Sequence, residues 1–345
     1  MRKLRFAMGG TGFWARYQLA GWRELPEAEC VAVYGRSPAK ARAFARDNKI
    51  ASFYQDVETM LEKEHPDFLD VVTNVESHEQ LARMGLARSV PVVCQKPLVA
   101  SFPRAEALVR DFATAGVPLF VNENWRWQTP LREIKKIIER GTIGQIFRAR
   151  IDMISGFPVF ANQPFLQELE QFILTDLGSH ILDVVRFLFG EATSLYCQTR
   201  RTLSHIRGEN VATVVLAMAS GATVLVELAY AQNPLERECF PQTLVFLEGT
   251  EGSVELRPDY WIHTTTKLGT VSVCCMPHHY EWADRAYDVV HSSIVPCQAN
   301  ILVGLRGGRA ETTGEDNLNT LKLVFASYDS ARSGQAVNLE KPGQA

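Results

Sequence analysis

The chain has no apolar run long enough to span a membrane. A long uncharged stretch, residues 211–226, falls short of the ~20 residues a spanning helix needs. Ser220-Gly221 also breaks that stretch with a turn signal between two β-rich runs. An excess of charge is missing too: 36 Lys and Arg stand against 39 Asp and Glu, a net charge of -3, so no long-range field draws the protein to nucleic acid or anionic lipid. Nor is there a disulfide framework. The seven cysteines, Cys30, Cys94, Cys197, Cys239, Cys274, Cys275 and Cys297, are scattered and odd in number, the pattern of reduced, buried thiols in a cytosolic compartment. Met1-Arg2-Lys3 is basic, but the apolar run behind it ends at Met8, too short for the core of a secretory signal. No internal repeat or low-complexity tract is present. These absences leave a cytoplasmic globular protein whose partner is a small molecule, with no nucleic acid and no membrane.

Two local signals point nowhere. In Cys274-Cys275-Met276-Pro277-His278-His279 neighbouring side chains on a strand face opposite ways, and the spacing matches no standard zinc site, so no metal is expected. The basic stretch with Arg200, Arg201, His205 and Arg207 lacks an aromatic platform for bases and reads as a solvated loop.

A chain of 345 residues makes two domains at ~100–200 residues each. Residues 1–121 alternate short apolar runs with helical patterns, as successive βαβ units do. Strands are expected at residues 6–8, 30–34, 68–73, 90–94 and 118–121. Ser37-Pro38 offers an N-cap followed by a proline in the first helical turn, and Ser77 and Ser101 read as caps of later helices. Five strands with right-handed crossovers give a doubly wound parallel sheet. Residues 122–345 open with a helix at 130–140 and a Gly141-Thr142-Ile143-Gly144 turn. A β-rich pattern follows at 145–153, 194–199, 211–218, 222–229, 243–247 and 253–256, interrupted by helices near 176–189 and 317–333. The fold class is an α/β Rossmann domain plus an α+β C-terminal domain with a mostly antiparallel sheet.

The run Gly9-Gly10-Thr11-Gly12-Phe13-Trp14-Ala15 follows the first strand and opens a helix, so Gly10, Gly12 and Ala15 fit G-x-G-x-x-A. Gly10 allows the tight turn, Gly12 admits a pyrophosphate to backbone N–H groups, and Ala15 lets helix and strand pack closely. A dinucleotide is the expected ligand, with Thr11, Phe13 and Trp14 beside it. The second strand ends in Gly35-Arg36-Ser37, where a carboxylate would read the ribose of NAD. Arg36, Ser37 and Lys40 suit a 2′-phosphate instead, which favours NADP. The alternative is NAD, with Arg36 stacked on adenine.

Three more segments make the chain resemble the glucose-fructose oxidoreductase / inositol dehydrogenase (Gfo/Idh/MocA) family. They are Thr73-Asn74-Val75-Glu76-Ser77-His78, Gln95-Lys96-Pro97, and Thr175-Asp176-Leu177-Gly178-Ser179-His180-Ile181-Leu182-Asp183. The family's usual patterns are T-P-x-x-x-H, E-K-P and D-x-G-x-H-x-x-D, in that order, and the similarity runs from the N-terminus to near Gly334. The resemblance implies a nicotinamide-dependent oxidoreductase of sugars, inositols or related polyols, with a large open sheet used to form a homodimer or homotetramer. It brings Thr73, Asn74, His78, Gln95 and Lys96 to the coenzyme, although His78 reads equally as a cap of its own helix. Two residues depart from the pattern: Asn74 replaces proline, and Gln95 replaces the glutamate beside the lysine.

On a helix, Asp176, His180 and Asp183 share one stripe, with Leu177, Ile181 and Leu188 turned to the core. Gly178 within that helix suggests a close approach by coenzyme or backbone. His180 is the expected general base, Asp176 a partner for a substrate hydroxyl, and Lys96 a donor to the reacting oxygen. A neutral Gln95 removes one anion from beside Lys96, which frees the lysine to share the base role. Asp183 is expected to bond Arg186. Asn124, Trp125, Arg126 and Trp127 follow the fifth expected strand: Asn124 and Arg126 offer donors to substrate, and the tryptophans offer flat faces to a sugar or pack the domain joint. The chemistry is expected where the domains meet. The reading is an NAD(P)-dependent dehydrogenase or reductase of a sugar, inositol or glycoside. Its rivals are an NAD-dependent glycosidase working by transient oxidation and a nucleotide-sensing regulator.

Overall fold

The computed structural model describes residues 2–231 and 242–339, so Cys239 lies outside the described residues. Six strands, β1 (Leu4–Gly9), β2 (Ala28–Tyr34), β3 (Ser52–Tyr54), β4 (Phe68–Val71), β5 (Val92–Gln95) and β6 (Leu119–Asn122), alternate with helices α1 (Phe13–Arg23), α2 (Pro38–Asp47), α3 (Val57–Glu64), α4 (Val75–Ala87) and α5 (Phe102–Ala115). They form one parallel sheet in the order β3-β2-β1-β4-β5-β6. The order reverses between β1 and β4, and the crevice beyond those two strand ends is where such sheets bind ligands. Phe6, Trp22 and Phe68 fill the core behind it, Phe6 and Phe68 stacked at 5.0 Å.

Five strands were expected and six are present. The addition, β3, has three residues, too few to show alternation. Ser37 caps α2, its Oγ accepting from Lys40 N, with Pro38 first in the helix. Ser101 stands at the N-cap of α5, though without a side-chain bond. Ser77 is not a cap; Asn74 holds that position in α4, and Ser77 Oγ reaches Thr73 Oγ1 at 2.8 Å.

The remaining elements are α6 (Thr129–Glu139), β7 (Ile146–Ser155), α7 (Val159–Asn162), α8 (Ser179–Phe189), β8 (Ala192–Arg200), β9 (Val211–Met218), β10 (Thr223–Tyr230), β11 (Leu244–Gly249), β12 (Gly252–Arg257), β13 (Trp261–Thr266), β14 (Gly269–Cys274), α9 (Asp288–Leu305), α10 (Gly314–Ser333) and β15 (Val337–Asn338). Nine strands make a second sheet, β14-β13-β12-β11-β7-β10-β9-β8-β15. Among the described residues of this sheet only β7 and β10 pair in parallel; the other pairs are antiparallel, joined in part by the Gly221 turn, where φ is +89. Alternate residues on β7, β9 and β10 are buried, so one face of this sheet lies against the core.

The compact units are Met1–Asn124 with Ile294–Asn319, and Trp125–Ser293 with the chain from Thr320 onward. A single cut at 121/122 therefore omits a returning segment. In that segment Thr312 O accepts from Val121 N (2.9 Å) and Gln298 Nε2 donates to Gln18 O (2.9 Å). Cys94, Cys197, Cys275 and Cys297 are buried and not disulfide-bonded, whereas Cys274 is exposed on the edge strand. No helix among the described residues is long and apolar enough to cross a membrane.

Candidate active site

The turn after β1 is shaped by backbone rather than side chains. Gly10 has φ +129, and a Cβ there would sit 2.3 Å from Val72 O, so only glycine fits. Its N–H donates to Tyr34 O at 2.9 Å, which ties the turn to β2. Gly12 is the N-cap of α1, with no side-chain cap and nothing within 4 Å of where a Cβ would stand. No side chain caps this eleven-residue helix, and the positive end of its dipole lies behind the open space at Gly12. Ala15 is fully buried beneath. A Cβ on Gly35 would lie 3.2 Å from Thr11 Cγ2, which places Thr11 beside the end of β2. Arg36 and Lys40 are exposed there. Phe13 and Trp14 meet edge to face at 5.4 Å, and the Arg16 guanidinium lies 4.9 Å above Phe13. A diphosphate fits this cradle, and the residues present can hold a dinucleotide.

Thr73 and Asn74 follow β4, and Gln95 ends β5. His78 is 1% exposed, its Nδ1 2.9 Å from Pro97 O and its Nε2 3.0 Å from Thr73 O. It therefore neither caps α4 nor presents a ring nitrogen to a ligand; it joins the loop after β4 to the loop after β5. Burial pushes its imidazole below the usual range, and the two carbonyls pull it back up. Gln95 Oε1 accepts from Lys96 N at 2.9 Å, so the residue in the family glutamate's place fixes the backbone at the lysine. The Lys96-Pro97 peptide is cis. Beneath the same strands lies Asp70, fully buried, accepting from Trp22 Nε1 (2.7 Å) and Asn122 Nδ2 (3.3 Å). Burial pushes its carboxyl up to about 7. Nothing in the apolar pattern of β4 distinguishes it, although an aspartate inside a buried strand is itself a signal.

In the second unit, Asp176 lies in a π-helical turn, Leu174–Gly178, that leads into α8. The regular stripe expected for Asp176, His180 and Asp183 is therefore wound differently at its start, a distortion common at functional sites. Gly178 is approached by Leu174 and Leu228 side chains at 3.4 Å, not by backbone. Leu177, Ile181 and Leu188 face the core as expected. His180 stacks on Trp125 with ring centroids 4.5 Å apart, so Trp125, 2% exposed, offers its face to the imidazole instead of a sugar. Trp127 receives the Arg132 guanidinium at 4.1 Å.

Arg126 requires correction, and Asp183 has nearer partners than the expected Arg186. Both are buried, and Arg126 Nε and Nη2 donate to Asp183 Oδ2 and Oδ1 at 2.7 and 2.5 Å. The guanidinium expected to meet substrate is engaged by a carboxylate instead, and Asp183 bonds Arg126 and Thr320 (3.0 Å) more closely than Arg186, which is 4.0 Å away. Tyr230 stands at the end of β10. It is buried against Phe172, and burial, with Asp176 and Tyr287 nearby, pushes its phenol well up.

A family model described as "Oxidoreductase family, NAD-binding Rossmann fold" matches residues 4–123, and one for the GFO/IDH/MocA C-terminal domain matches residues 131–255. The chain belongs to the GFO/IDH/MocA oxidoreductase family. Among curated relatives, D-apiose dehydrogenase of Paraburkholderia graminis is 39% identical over 99% of this chain and 91% of its own length. D-apiose dehydrogenase of Rhizobium rhizogenes is 38% identical over 98% of each chain. A solved oxidoreductase from Agrobacterium radiobacter, in complex with NAD+, L-tartaric acid and magnesium, superposes with a TM-score of 0.95 at 37% identity, covering 97% of this chain and 98% of that one. This GFO/IDH/MocA member is an NAD(P)-dependent oxidoreductase of the sugar-dehydrogenase kind.

Proposed function

We propose that the enzyme moves hydride between NAD(P) and a secondary hydroxyl or keto group of a small sugar or polyol, with D-apiose the first substrate to test. The observation that carries the redox reading is the Gly10–Gly12 turn, closed to side chains on one side and open on the other. Gly10, Thr11 and Gly12 hold the pyrophosphate, with Phe13, Trp14, Thr73 and Asn74 around it. Arg36, Ser37 and Lys40 meet the adenosine ribose; two exposed cations and no carboxylate at that strand end make NADP the preferred coenzyme. When bound, the nicotinamide accepts the hydride.

His180 takes the hydroxyl proton as the carbon loses hydride and later passes it to solvent, the role for which a near-neutral imidazole is suited. Asp176 bonds a neighbouring hydroxyl and favours the imidazolium. Lys96 bonds the reacting oxygen and stabilises its developing negative charge. Asn124 donates to the sugar. The enzyme works in the cytosol as a homodimer or homotetramer, a second copy covering the sheet face where Ile154, Val215 and Trp261 are exposed; light scattering reads that directly. The decisive experiment measures NADPH and NADH formation with D-apiose, other aldoses and inositols. His180→Ala and Lys96→Ala should each lower kcat roughly a hundredfold while coenzyme affinity holds. Full activity in both variants would remove these residues from the chemistry.

A further inference from the structure

A helix begins with four N–H groups that have no partner within it. In the helix that carries Asp176 and His180, two distant residues take all four. Glu209 Oε1 accepts from Phe172 N at 3.1 Å and Leu174 N at 3.4 Å, and the Glu209 carbonyl accepts from Ile173 N at 3.2 Å. Thr175 N donates to the Tyr328 hydroxyl at 3.2 Å, and that hydroxyl donates to Glu209 Oε1 at 2.8 Å. Asp176 is the next residue, and its N–H is bonded inside the helix, to Phe172 O at 2.8 Å.

We infer that Glu209 and Tyr328 are positioning residues for the reaction, holding the entry of this helix so that Asp176 and His180 stand in working register. The inference rests on the proposed roles of those two residues. Three observations support it. First, the backbone here is a π turn, a local departure from α-helical winding of the kind found at functional sites. Second, Gly208 lets the Glu209 loop come close enough: a Cβ there would lie 2.6 Å from Leu169 O and 2.9 Å from Glu170 O. Third, burial and the Glu209 carboxylate push the Tyr328 phenol far up, so it keeps its proton for Glu209 and a lone pair for Thr175. Arg201, His205 and Arg207 are exposed in the loop after β8, as the sequence suggests, and Arg200 ends that strand; the function of the loop lies in the two residues that follow.

The test compares Tyr328→Phe, Glu209→Ala and Glu209→Gln with wild type, with kcat expressed per folded molecule from near-UV circular dichroism. Misplacement by a fraction of an ångström to an ångström costs up to ~100-fold in rate. Tyr328→Phe and Glu209→Ala should therefore lower kcat at least roughly tenfold, with KM within about twofold and a larger primary deuterium isotope effect. Glu209→Gln keeps an acceptor oxygen and should restore kcat to within about threefold of wild type. A lower melting temperature with unchanged kcat per folded molecule would make the pair merely structural and overturn the inference. If Tyr328→Phe fails to fold, the Glu209→Ala and Glu209→Gln contrast decides alone, and equal kcat in those two overturns it. His180→Ala separates the premises: full activity there defeats the catalytic assignment, whereas an inactive His180→Ala beside a fully active Tyr328→Phe defeats only the positioning.

Discussion

The imidazole of His180 lies flat on the indole of Trp125, ring centroids 4.5 Å apart and planes 8° apart. The stack restricts the plane in which the ring nitrogens can meet a hydroxyl proton. Aromatic pairs of this kind are worth ~0.5–1.5 kcal/mol beyond their burial. Trp125→Phe keeps a smaller ring in the same place and should lower kcat by roughly 2- to 12-fold, the rate equivalent of that interval. Coenzyme affinity should not change. Steady-state kinetics with a parallel coenzyme titration check both, and an unaltered kcat would reduce Trp125 to packing.

Arg126 and Asp183 form a buried pair, 6% and 0% exposed at their side chains. Removing one partner leaves a charge in a poorly solvating interior, so Asp183→Asn should destabilise the fold by about 3–5 kcal/mol. Replacing both charges with apolar residues of similar volume, as in Arg126→Met with Asp183→Leu, should recover most of that loss. Thr320 also donates to the carboxylate, which limits the recovery. Urea unfolding of the single and double variants gives the comparison, and additive losses would show that the two residues do not act as a pair.

What could be read from the sequence was what neighbouring residues decide. The Gly10 turn, the Ser37-Pro38 helix start and the Gly221 hairpin depend on a few adjacent positions, and each is found where its chemistry requires. Other features answer to distant residues. Helix α9 scatters Asp288, His291, Ser292, Ser293, Gln298 and Asn300 among its apolar residues and contains Pro296, so it shows neither periodicity nor continuity. Strand β14 is exposed on both faces and cannot display alternation. Arg126 looked like a ligand donor because its partner, Asp183, lies 57 residues away. Glu209 and Tyr328 carry no local mark at all, since what defines them is the set of amides they meet.

Asp70 gives the protein a pH dependence of stability. Its carboxyl titrates at about 7 in the folded state against ~3.9 when exposed. Between those values the native chain holds a proton that the unfolded chain has released. Stability from this group is therefore complete below about pH 4 and is lost as pH rises through 7, by on the order of 4 kcal/mol. Asp70→Asn removes the titration. Its new N–H also has a ready acceptor, because Asn122 Oδ1 has no partner and can turn to meet it. Urea midpoints in wild type should fall from pH 5 to 7 and level off by pH 8, and should change more shallowly in the variant. Parallel curves would show that Asp70 is ionised throughout.

Two neighbouring glycines should respond to alanine in opposite ways. At Gly10, φ is +129 and the added Cβ would meet Val72 O at 2.3 Å, a backbone atom that no rotamer change relieves. Gly10→Ala should therefore lower the melting temperature and the yield of folded protein. At Gly12, φ is -84 and the space around a Cβ is open, so Gly12→Ala should fold with only the small penalty of a poorer N-cap. That open space lies over the helix N-terminus to which the proposed function assigns the diphosphate. Gly12→Ala should thus weaken coenzyme binding at least roughly tenfold while the melting temperature without coenzyme stays close to wild type. Calorimetric titration with NADP and NAD, paired with thermal melts, separates the two effects. Undiminished affinity in Gly12→Ala would place the diphosphate elsewhere, and the turn would lose its function as a cradle.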